Sequence, residues 1–365
     1  MKRNLYIFNP ENDMALGCGR DSYNAPAWTV LFRHDLELLP AYFATPGSMI
    51  LTTDAASAQS WIDAQGLYAE AIETTHLRGL KDINIEPWGW SMPLCKELMR
   101  AGIHHSALPS PEAMKMVRNL AHRRISIAVH EAIKRELGQE FSPIPVELSD
   151  TDAVTQWALQ HPGCYIKTPW SGSGRGVYRA IDAGTMQFER WCRGAINKQG
   201  SVLCEIALDK VLDFALEFRC NSGQCVFVGY SVFTSDSQNQ YGGGIVDSTQ
   251  ALHDIIAAQY PAISEMTDAM THVVQQLIAP HYDGYLGVDM LLYRTADGVI
   301  DIDPCVEVNL RCTMGLVTSV MGERHGMRGT FSIVPADQAT HPLTPIYKDT
   351  RHAATLTTTE ETINH

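Results

Sequence analysis

The sequence predicts an α/β protein whose first part alternates strands with helices and whose second part is α+β. In the first 108 residues, short apolar strands at 4–8 and 48–53 alternate with helical patterns such as 54–64. This alternation predicts a small layered α/β domain. In the second half, runs of alternating apolar and polar residues are separated by short turns, which is typical of antiparallel hairpins.

Composition places the chain among globular proteins. Of its 365 residues, 45% are hydrophobic and 19% are charged, enough for the core of two or three domains. A net charge of -13 argues against a broad surface for nucleic acid or for an anionic membrane. The apolar run at 5–8 is too short for a signal peptide, and no run is long enough to predict a membrane span. Nine scattered cysteines without a CxxC pair then indicate reduced thiols of a cytoplasmic protein.

Between the two parts, the segment "LPSPEAMK" predicts a helix start. Ser110 is a suitable N-cap and Pro111 a suitable first residue. We expect one long basic helix from there to about Leu137.

A glycine-rich turn after the strand at 165–167 predicts a flap over phosphate groups. The turn contains Gly172, Ser173, Gly174, Arg175 and Gly176. Glycine allows backbone amides to approach an anion closely, and Lys167 on the incoming strand is within reach of a phosphate. Because the turn returns into a strand and no GK[ST] follows, it is not a Walker A loop. A plain hairpin turn is the alternative interpretation.

The stretch "CVEVNLR" at 305–311 predicts a strand with a chemically active face. Glu307, Asn309 and Arg311 lie on one face because strand side chains alternate with period two. Asp289 interrupts the apolar strand 286–292, where a carboxylate is costly unless it is paired or binds a cation.

The two carboxylates of Asp289 and Glu307 and the amide oxygen of Asn309 are suitable ligands for Mg²⁺, which also binds water and phosphates. Asp301 and Asp303 remain open as alternatives to Asp289. A buried acid bonded to Arg311 is the structural alternative to a metal site.

The strand at 213–219 carries a second polar face. Asp213, Glu217 and Arg219 alternate there with apolar residues. Taken alone, this pattern favours a solvent-exposed face with an internal ion pair, the more common meaning of alternating charge.

These elements, in this order, resemble the ATP-grasp superfamily, which includes D-alanine–D-alanine ligase, glutathione synthetase and biotin carboxylase. The resemblance covers roughly residues 109–325 and is carried by "YIKTPWSGSGRGV", "GVDMLLY" and "EVNLR". It implies an ATP-grasp fold with an N-terminal Rossmann-like α/β domain and two α+β subdomains that clasp the nucleotide. The implied domains are 1–108, 109–204 and 205–335, followed by a C-terminal tail at 336–365.

The resemblance also implies a role for each site residue. Lys167 and a basic residue before the flap would bind ATP phosphates. Arg118 is the choice for that basic residue, and Lys115 is the alternative. The flap residues over the phosphates would be Ser171, Gly172, Ser173, Gly174 and Gly176. The hinge that pairs with adenine would be Glu205, Ile206, Ala207 and Leu208, and Asp213 would hold the ribose.

For the reacting end, the resemblance implies that Asp289, Glu307 and Asn309 hold two Mg²⁺ ions, with Mn²⁺ as a substitute. Arg311 and Arg219 would be catalytic, with Arg311 meeting the transferred phosphoryl group or the acceptor carboxylate.

The implied activity is an ATP- and Mg²⁺-dependent carboxylate–amine ligase that forms an acyl phosphate. Its expected partners are small-molecule or peptide substrates that carry a carboxylate and an amine, with a homodimer as the candidate oligomer. No nucleic-acid or membrane partner is expected. A small-molecule kinase on the same fold and a non-catalytic nucleotide-binding protein are the alternatives. The loop "NPEND" after the first strand is a candidate acceptor site, unless its Asx turns serve only to hold the loop.

Overall fold

The computed structural model describes residues 2–172, 174, 176–235 and 241–358. Within these residues the strands form three sheets: a parallel sheet, a small antiparallel sheet and a large antiparallel sheet.

The parallel sheet has four strands in the order β3-β2-β1-β4, and all of its pairings are parallel. The strands are β1 (Arg3–Ile7), β2 (Ser48–Thr52), β3 (Ala69–Glu73) and β4 (Ile83–Pro87). The helices of this region are α1 (Asn12–Cys18), α2 (Ala27–Asp35), α3 (Ala55–Ala64) and α4 (Met92–Arg100). The loop after β1 leaves from the carboxyl end of the sheet, the usual ligand-binding edge of α/β folds.

The next two helices are α5 (Pro111–Leu120) and α6 (Ile125–Leu137). The Ser110 side chain caps α5 by accepting from the Ala113 amide at 3.2 Å, as the sequence predicts. The single long helix that we expected is wrong, because the chain breaks between Ala121 and Arg124. Both helices contribute buried residues to the core of the large sheet, such as Val117 and Ile133.

The small sheet is antiparallel, in the order β5-β8-β6-β7. Its strands are β5 (Val146–Leu148), β6 (Tyr165–Lys167), β7 (Val177–Arg179) and β8 (Val202–Glu205). Two helices, α7 (Thr151–Gln160) and α8 (Met186–Gln199), accompany it. A separate core, with Ile166, Phe188 and Cys204 among its members, holds this layer together.

The large sheet has seven antiparallel strands in the order β13-β12-β9-β10-β11-β14-β15. The strands are β9 (Asp209–Asn221), β10 (Gln224–Ser235), β11 (Tyr241–Val246), β12 (Gly284–Arg294), β13 (Ile300–Asn309), β14 (Gly329–Pro335) and β15 (His352–Thr357). The helices of this region are α9 (Thr249–Ala257), α10 (Ile263–Leu277) and α11 (Met314–His325).

Helix α11 joins the large sheet to the parallel sheet. It is apolar around most of its circumference, as expected for a helix buried on several sides. Leu316 and Val320 share one hydrophobic cluster with Tyr6 of β1 and Phe43. This packing fixes the position of the N-terminal region relative to the large sheet.

Strand β15 lies within the segment that the sequence suggested as a tail. It pairs along its whole length with β14. The Asp35 carboxylate at the end of α2 accepts from the backbone amides of Arg351 at 3.2 Å and His352 at 3.0 Å, and contacts the His352 ring at 2.8 Å. The predicted domain limits themselves remain a prediction.

The predicted fold class, α/β followed by α+β, is confirmed by these three sheets. Among the helices described here, none combines the length and the apolar character needed to cross a membrane.

Candidate functional site

A cavity of about 290 Å³ lies between the small sheet and the large sheet. Its walls come from β6 and β8, from strands β9 to β13 of the large sheet, and from the first turn of α11. Ten predicted site residues line it: Lys167, Gly174, Glu205, Ile206, Leu208, Asp213, Asp289, Glu307, Asn309 and Arg311.

Lys167 is the cationic residue of the small sheet in this cavity. It is 8% exposed and forms an ion pair with the Glu205 carboxylate at the end of β8. The second Glu205 oxygen is buried and has no hydrogen-bond partner among the described residues. The loop after β8 then brings Ile206 and Leu208 to the cavity wall, whereas Ala207 is not part of the wall. The ion pair of Lys167 and Glu205 thus lies beside the apolar side chains of Ile206 and Leu208, in the part of the cavity where a nucleotide base is expected.

Asp213 lies at the same end of the cavity, on β9. Its carboxylate accepts from Lys210 at 2.7 Å and from Ser235 at 2.8 Å.

The glycine-rich turn is held at both of its ends. The Thr168 amide donates to the Gly176 carbonyl at 2.8 Å, and Gly176 adopts a φ of 72°. Gly172 lies directly against the Asp13 carboxylate, so any side chain there would collide with it. Ser173 and Arg175 lie outside the described residues.

Arg123 is the basic residue that reaches the cavity from the segment before the flap. It is 5% exposed, and it donates to the Ser171 hydroxyl at 3.1 Å and to the Thr168 carbonyl at 3.1 Å. Its Nη1 lies 2.9 Å from Glu307 Oε2. One guanidinium therefore links the flap of the small sheet to the acidic wall of the large sheet.

Arg118, which the resemblance suggested for this role, does not line the cavity. Its Nε donates to the Leu16 carbonyl at 2.8 Å, and its guanidinium lies 3.8 Å from the centre of the Trp170 ring. The alternative, Lys115, is exposed on α5. The helical break that exposes Arg123 to the cavity is not visible in the apolar periodicity, so sequence reasoning missed this residue.

Asp289 and Glu307 face each other across β12 and β13. The register pairs Asp289 with Glu307 and Gly287 with Asn309, which places the three oxygen-bearing side chains together. Burial, followed by the charge of Glu307, raises the pKa of Asp289 to about 7. Burial also raises the pKa of Glu307, although Arg123 opposes this effect.

This donor set fits Mg²⁺. A divalent cation between the two carboxylates would offset the burial that raises the pKa of both, and Mg²⁺ takes most of its remaining ligands from water and phosphates. No group of three or more His, Cys, Asp or Glu residues within the described part of the chain is arranged to hold a metal. The two-carboxylate, one-amide set therefore suits an ion that arrives with its nucleotide.

The two alternative acids make other contacts. Asp303 lies 3.1 Å from the His130 ring and accepts from the Cys305 amide at 3.1 Å. Asp301 accepts from the Tyr293 hydroxyl at 3.3 Å and does not line the cavity.

Arg311 lies between the acidic wall and the N-terminal region. Its Nη2 donates to Asn309 Oδ1 at 2.9 Å, and its Nε donates to Asp13 Oδ2 at 2.8 Å. Asp13 is the last residue of "NPEND" and lies in the first turn of α1, so this segment reaches the site through one carboxylate.

Asn9, the first residue of that segment, bonds to backbone instead. Asn9 donates to the Gly89 carbonyl at 2.8 Å and accepts from the Gly89 amide at 3.3 Å.

Arg219 lies outside the cavity, although the resemblance suggested a catalytic role. Its Nη2 donates to Glu86 of β4 at 2.6 Å, and its guanidinium lies 4.9 Å from the centre of the Tyr285 ring. The side chain thus connects the large sheet to the parallel sheet.

Glu217 also lines the cavity. The sequence predicted only that it lies on the polar face of its strand, and no role was assigned to it. It is 2% exposed, and both of its oxygens accept from the Thr313 hydroxyl at 2.9 Å. Ser231 donates to Oε1 at 3.1 Å. Burial raises the pKa of Glu217 to about 8, and the nearby Asp289 charge adds to this effect.

The sequence matches no protein-family model and no curated protein. Its fold is similar to that of several solved structures. N5-carboxyaminoimidazole synthetase from Staphylococcus aureus in complex with ADP is 12% identical with a TM-score of 0.51, over 100% of this chain and 96% of that chain. Biotin carboxylase from Campylobacter jejuni, in a β,γ-ATP complex, is 12% identical with a TM-score of 0.52, over 98% and 88%.

A third structure is the biotin carboxylase domain of the Hydrogenobacter thermophilus 2-oxoglutarate carboxylase, with MgADP, ADP and bicarbonate. It is 11% identical with a TM-score of 0.50, over 92% of this chain and 74% of that chain. Biotin carboxylase is one of the ATP-grasp proteins that the sequence motifs resemble. Together with the three sheets, these similarities show that the chain has the ATP-grasp fold.

Proposed function

We propose that this protein is an ATP- and Mg²⁺-dependent ligase that joins a carboxylate to an amine through an acyl phosphate. The observation that carries the proposal is the facing pair of Asp289 and Glu307, with Asn309 beside it, in a cavity whose opposite wall carries Lys167 and Arg123. Acids on one wall and cations on the other suit a metal–nucleotide complex held between two sheets. The similar structures support it, since two of them are described as complexes with ADP or MgADP.

In this proposal, Lys167 and Arg123 bind the phosphate oxygens of ATP. Glu205, Ile206 and Leu208 line the base site, and Asp213 accepts from the ribose hydroxyls. Asp289, Glu307 and Asn309 would hold Mg²⁺, which would neutralise the charge that develops during phosphoryl transfer.

The reaction proceeds in two steps. A carboxylate oxygen of the acceptor bonds to the γ-phosphorus of ATP while the bond from that phosphorus to ADP breaks. The amine nitrogen then bonds to the acyl carbon, phosphate leaves, and the nitrogen loses a proton. Arg311, at the far end of the acidic wall, would orient the acceptor carboxylate or the transferred phosphoryl group. The enclosed cavity would keep water from the acyl phosphate.

The first test is nucleotide binding. A ligand that binds only the folded state stabilises it by RT ln(1 + [L]/Kd), about 2.7 kcal/mol at a hundredfold excess over Kd. We therefore expect ATP with Mg²⁺ at millimolar concentration to raise the melting temperature. No change in melting temperature would refute the nucleotide site.

The second test identifies the reaction. ADP release is measured with pairs of carboxylates and amines, and the masses of the products are determined by mass spectrometry. A ligase gives a product that lacks one water relative to the sum of its two substrates, whereas a kinase gives a phosphorylated acceptor. A phosphorylated end product that forms without an amine would refute ligation.

A further inference from the structure

The carboxylates that line the cavity differ in what faces them. Four of them contact a cationic or titratable partner: Glu205 contacts Lys167, Asp213 contacts Lys210, Glu307 contacts Arg123, and Asp303 contacts His130. Asp289 faces Glu307 and belongs to the proposed metal pair. Glu217 differs from all of these, because only hydroxyl groups contact its oxygens among the described residues.

The carboxylate of Glu217 lines the cavity, and glycine backbone packs closely against it. Gly287 and Gly315 approach it closely: a Cβ on Gly287 would lie 3.0 Å from Glu217 Oε2, and one on Gly315 would collide with Oε1. A side chain at either position would compete for the space beside the carboxyl group.

The position of Glu217 relative to the proposed metal pair is fixed by the register. β9 places Ala215 opposite Asp289 and Glu217 opposite Gly287, two residues further along the strands. Two residues of strand span roughly 7 Å. Glu217 therefore lies one side-chain position further along the sheet than the metal pair of Asp289 and Glu307. It lies in the direction of Arg219, the next residue on this face of β9, which contacts Glu86 of the parallel sheet.

A second polar group in the cavity is also without a partner. The Tyr241 hydroxyl is buried and makes no hydrogen bond to the described residues. Tyr241 and Glu217 line the same cavity, and burial, followed by the charge of Glu217, raises the pKa of Tyr241. A ligand with several hydrogen-bond donors could reach both.

Building on the proposed ligase function, we propose that Glu217 binds the amine substrate as a cationic primary amine, with the Tyr241 hydroxyl as a second acceptor. An ammonium group carries three donors and no acceptor, which matches a carboxylate and an unpartnered hydroxyl. Its charge would offset the burial that now disfavours the ionised carboxylate. A third metal ion fits less well, since Thr313 and Ser231 already direct hydroxyl donors at both oxygens and no further acid completes a ligand set.

This position also suits the chemistry. An amine held one side-chain position beyond the metal pair would lie next to the phosphorylated carboxylate. The ammonium group would first pass one proton to the Glu217 carboxylate, and the lone pair freed on the nitrogen would then form the bond to the acyl carbon as phosphate leaves. Glu217 would then determine specificity for the nucleophile, separately from the residues that bind ATP.

The test uses two probe sets on the full chain, in the presence of Mg²⁺ and a non-hydrolysable ATP analogue. Amino acid amides carry an ammonium and no carboxylate, whereas N-acetyl amino acids carry a carboxylate and no ammonium. The readout is the additional change in melting temperature beyond that of the nucleotide. The variants are Glu217→Gln and Tyr241→Phe, and Asp303→Asn is the control, because it removes a cavity carboxylate that already has a partner.

We expect amides to stabilise the wild-type protein, and Glu217→Gln to weaken their binding about tenfold to a hundredfold, the range for one hydrogen bond to a charged group. Tyr241→Phe should weaken it less, and Asp303→Asn should leave it unchanged. Equal amide binding by Glu217→Gln, stabilisation by N-acetyl amino acids alone, or no stabilisation by any amide would each overturn the proposal. The nucleotide alone reports on the proposed function, so a protein that binds the ATP analogue but no amide refutes only the amine site. A wild-type protein that binds no nucleotide refutes both.

Discussion

Replacement of Glu217 by glutamine should make the protein more stable at alkaline pH. The folded carboxyl group has a pKa of about 8 against an ordinary value of 4.5, mainly because of burial. Between these two values the unfolded chain is ionised while the folded chain keeps its proton. The folded state then binds more protons, and the free energy of unfolding falls as the pH rises through this window. Above about pH 8 the whole penalty is present.

The magnitude follows from the interval between the two pKa values. At 1.36 kcal/mol per pKa unit, the interval corresponds to roughly 5 kcal/mol, and local relaxation will reduce it. Glutamine keeps the shape of the side chain and an oxygen that accepts from Thr313 and Ser231, but it does not ionise. Its amide lacks an acceptor, which costs about 1 kcal/mol at every pH. We expect Glu217→Gln to be slightly less stable at pH 5 and about 2–4 kcal/mol more stable at pH 9.

The assay is urea denaturation of the metal-free and nucleotide-free protein from pH 5 to 9, followed by tryptophan fluorescence. Asp289 titrates in both proteins, so the difference between them reports on position 217 together with its coupling to Asp289. Glu131→Gln, at an exposed position of α6, serves as a control for the loss of one carboxyl group away from the cavity. A difference between Glu217→Gln and the wild type that stays constant over this range would refute the buried, protonated state of Glu217.

Three further predictions concern the nucleotide and metal residues. Arg123→Ala should weaken the binding of ATP with Mg²⁺ at least tenfold by calorimetry, because the Arg123 charge lies on the phosphate side of the cavity. Arg118→Ala should mainly lower the melting temperature, because it removes the contact with Trp170. The reverse result would restore Arg118 as the phosphate ligand. Asp289→Asn should raise the stability of the metal-free protein above pH 7, because the side chain that faces Glu307 can then no longer ionise. The same variant should be stabilised less by Mg²⁺ and ATP in a thermal melting experiment. Unchanged stabilisation by Mg²⁺ and ATP would remove Asp289 from the metal set. Glu307→Gln should reduce ADP release by about two to four orders of magnitude at saturating Mg²⁺ with the acceptor pair found by the screen, and near-normal turnover would exclude it from the metal site.

The sequence predicted the polar row of β13 well because a strand has a strict period. Glu307 and Asn309 share one face of β13, and β12 is the apolar strand that pairs with it. Asp289 is the acid within β12, so it was the expected partner of these two residues. The choice against Asp301 and Asp303 required the register, which depends on a shift between Asp289 and Leu291 that no local pattern reveals.

The residues that sequence reasoning placed differently depend on tertiary packing. Arg118 and Arg123 lie five positions apart in one basic stretch, and only the break between α5 and α6 decides which of them faces the cavity. Arg219 shares a strand face with Glu217, yet the contact with Glu86 of the parallel sheet takes it out of the cavity. Contacts between distant segments of the chain have no signature in local periodicity.

The bond between Asp35 and the start of β15 has a consequence for biosynthesis. The donors for this buried carboxylate lie up to 317 residues further along the chain. At translation speeds of about 5–20 residues per second, roughly 15 to 60 s separate the synthesis of α2 from the synthesis of its partners. During that interval Asp35 lacks these donors and must remain hydrated and not buried. The nascent N-terminal region is therefore expected to stay partly open on the ribosome, and a ribosome-bound chain stalled before residue 351 should be more sensitive to protease at α2 than one stalled after β15 has emerged.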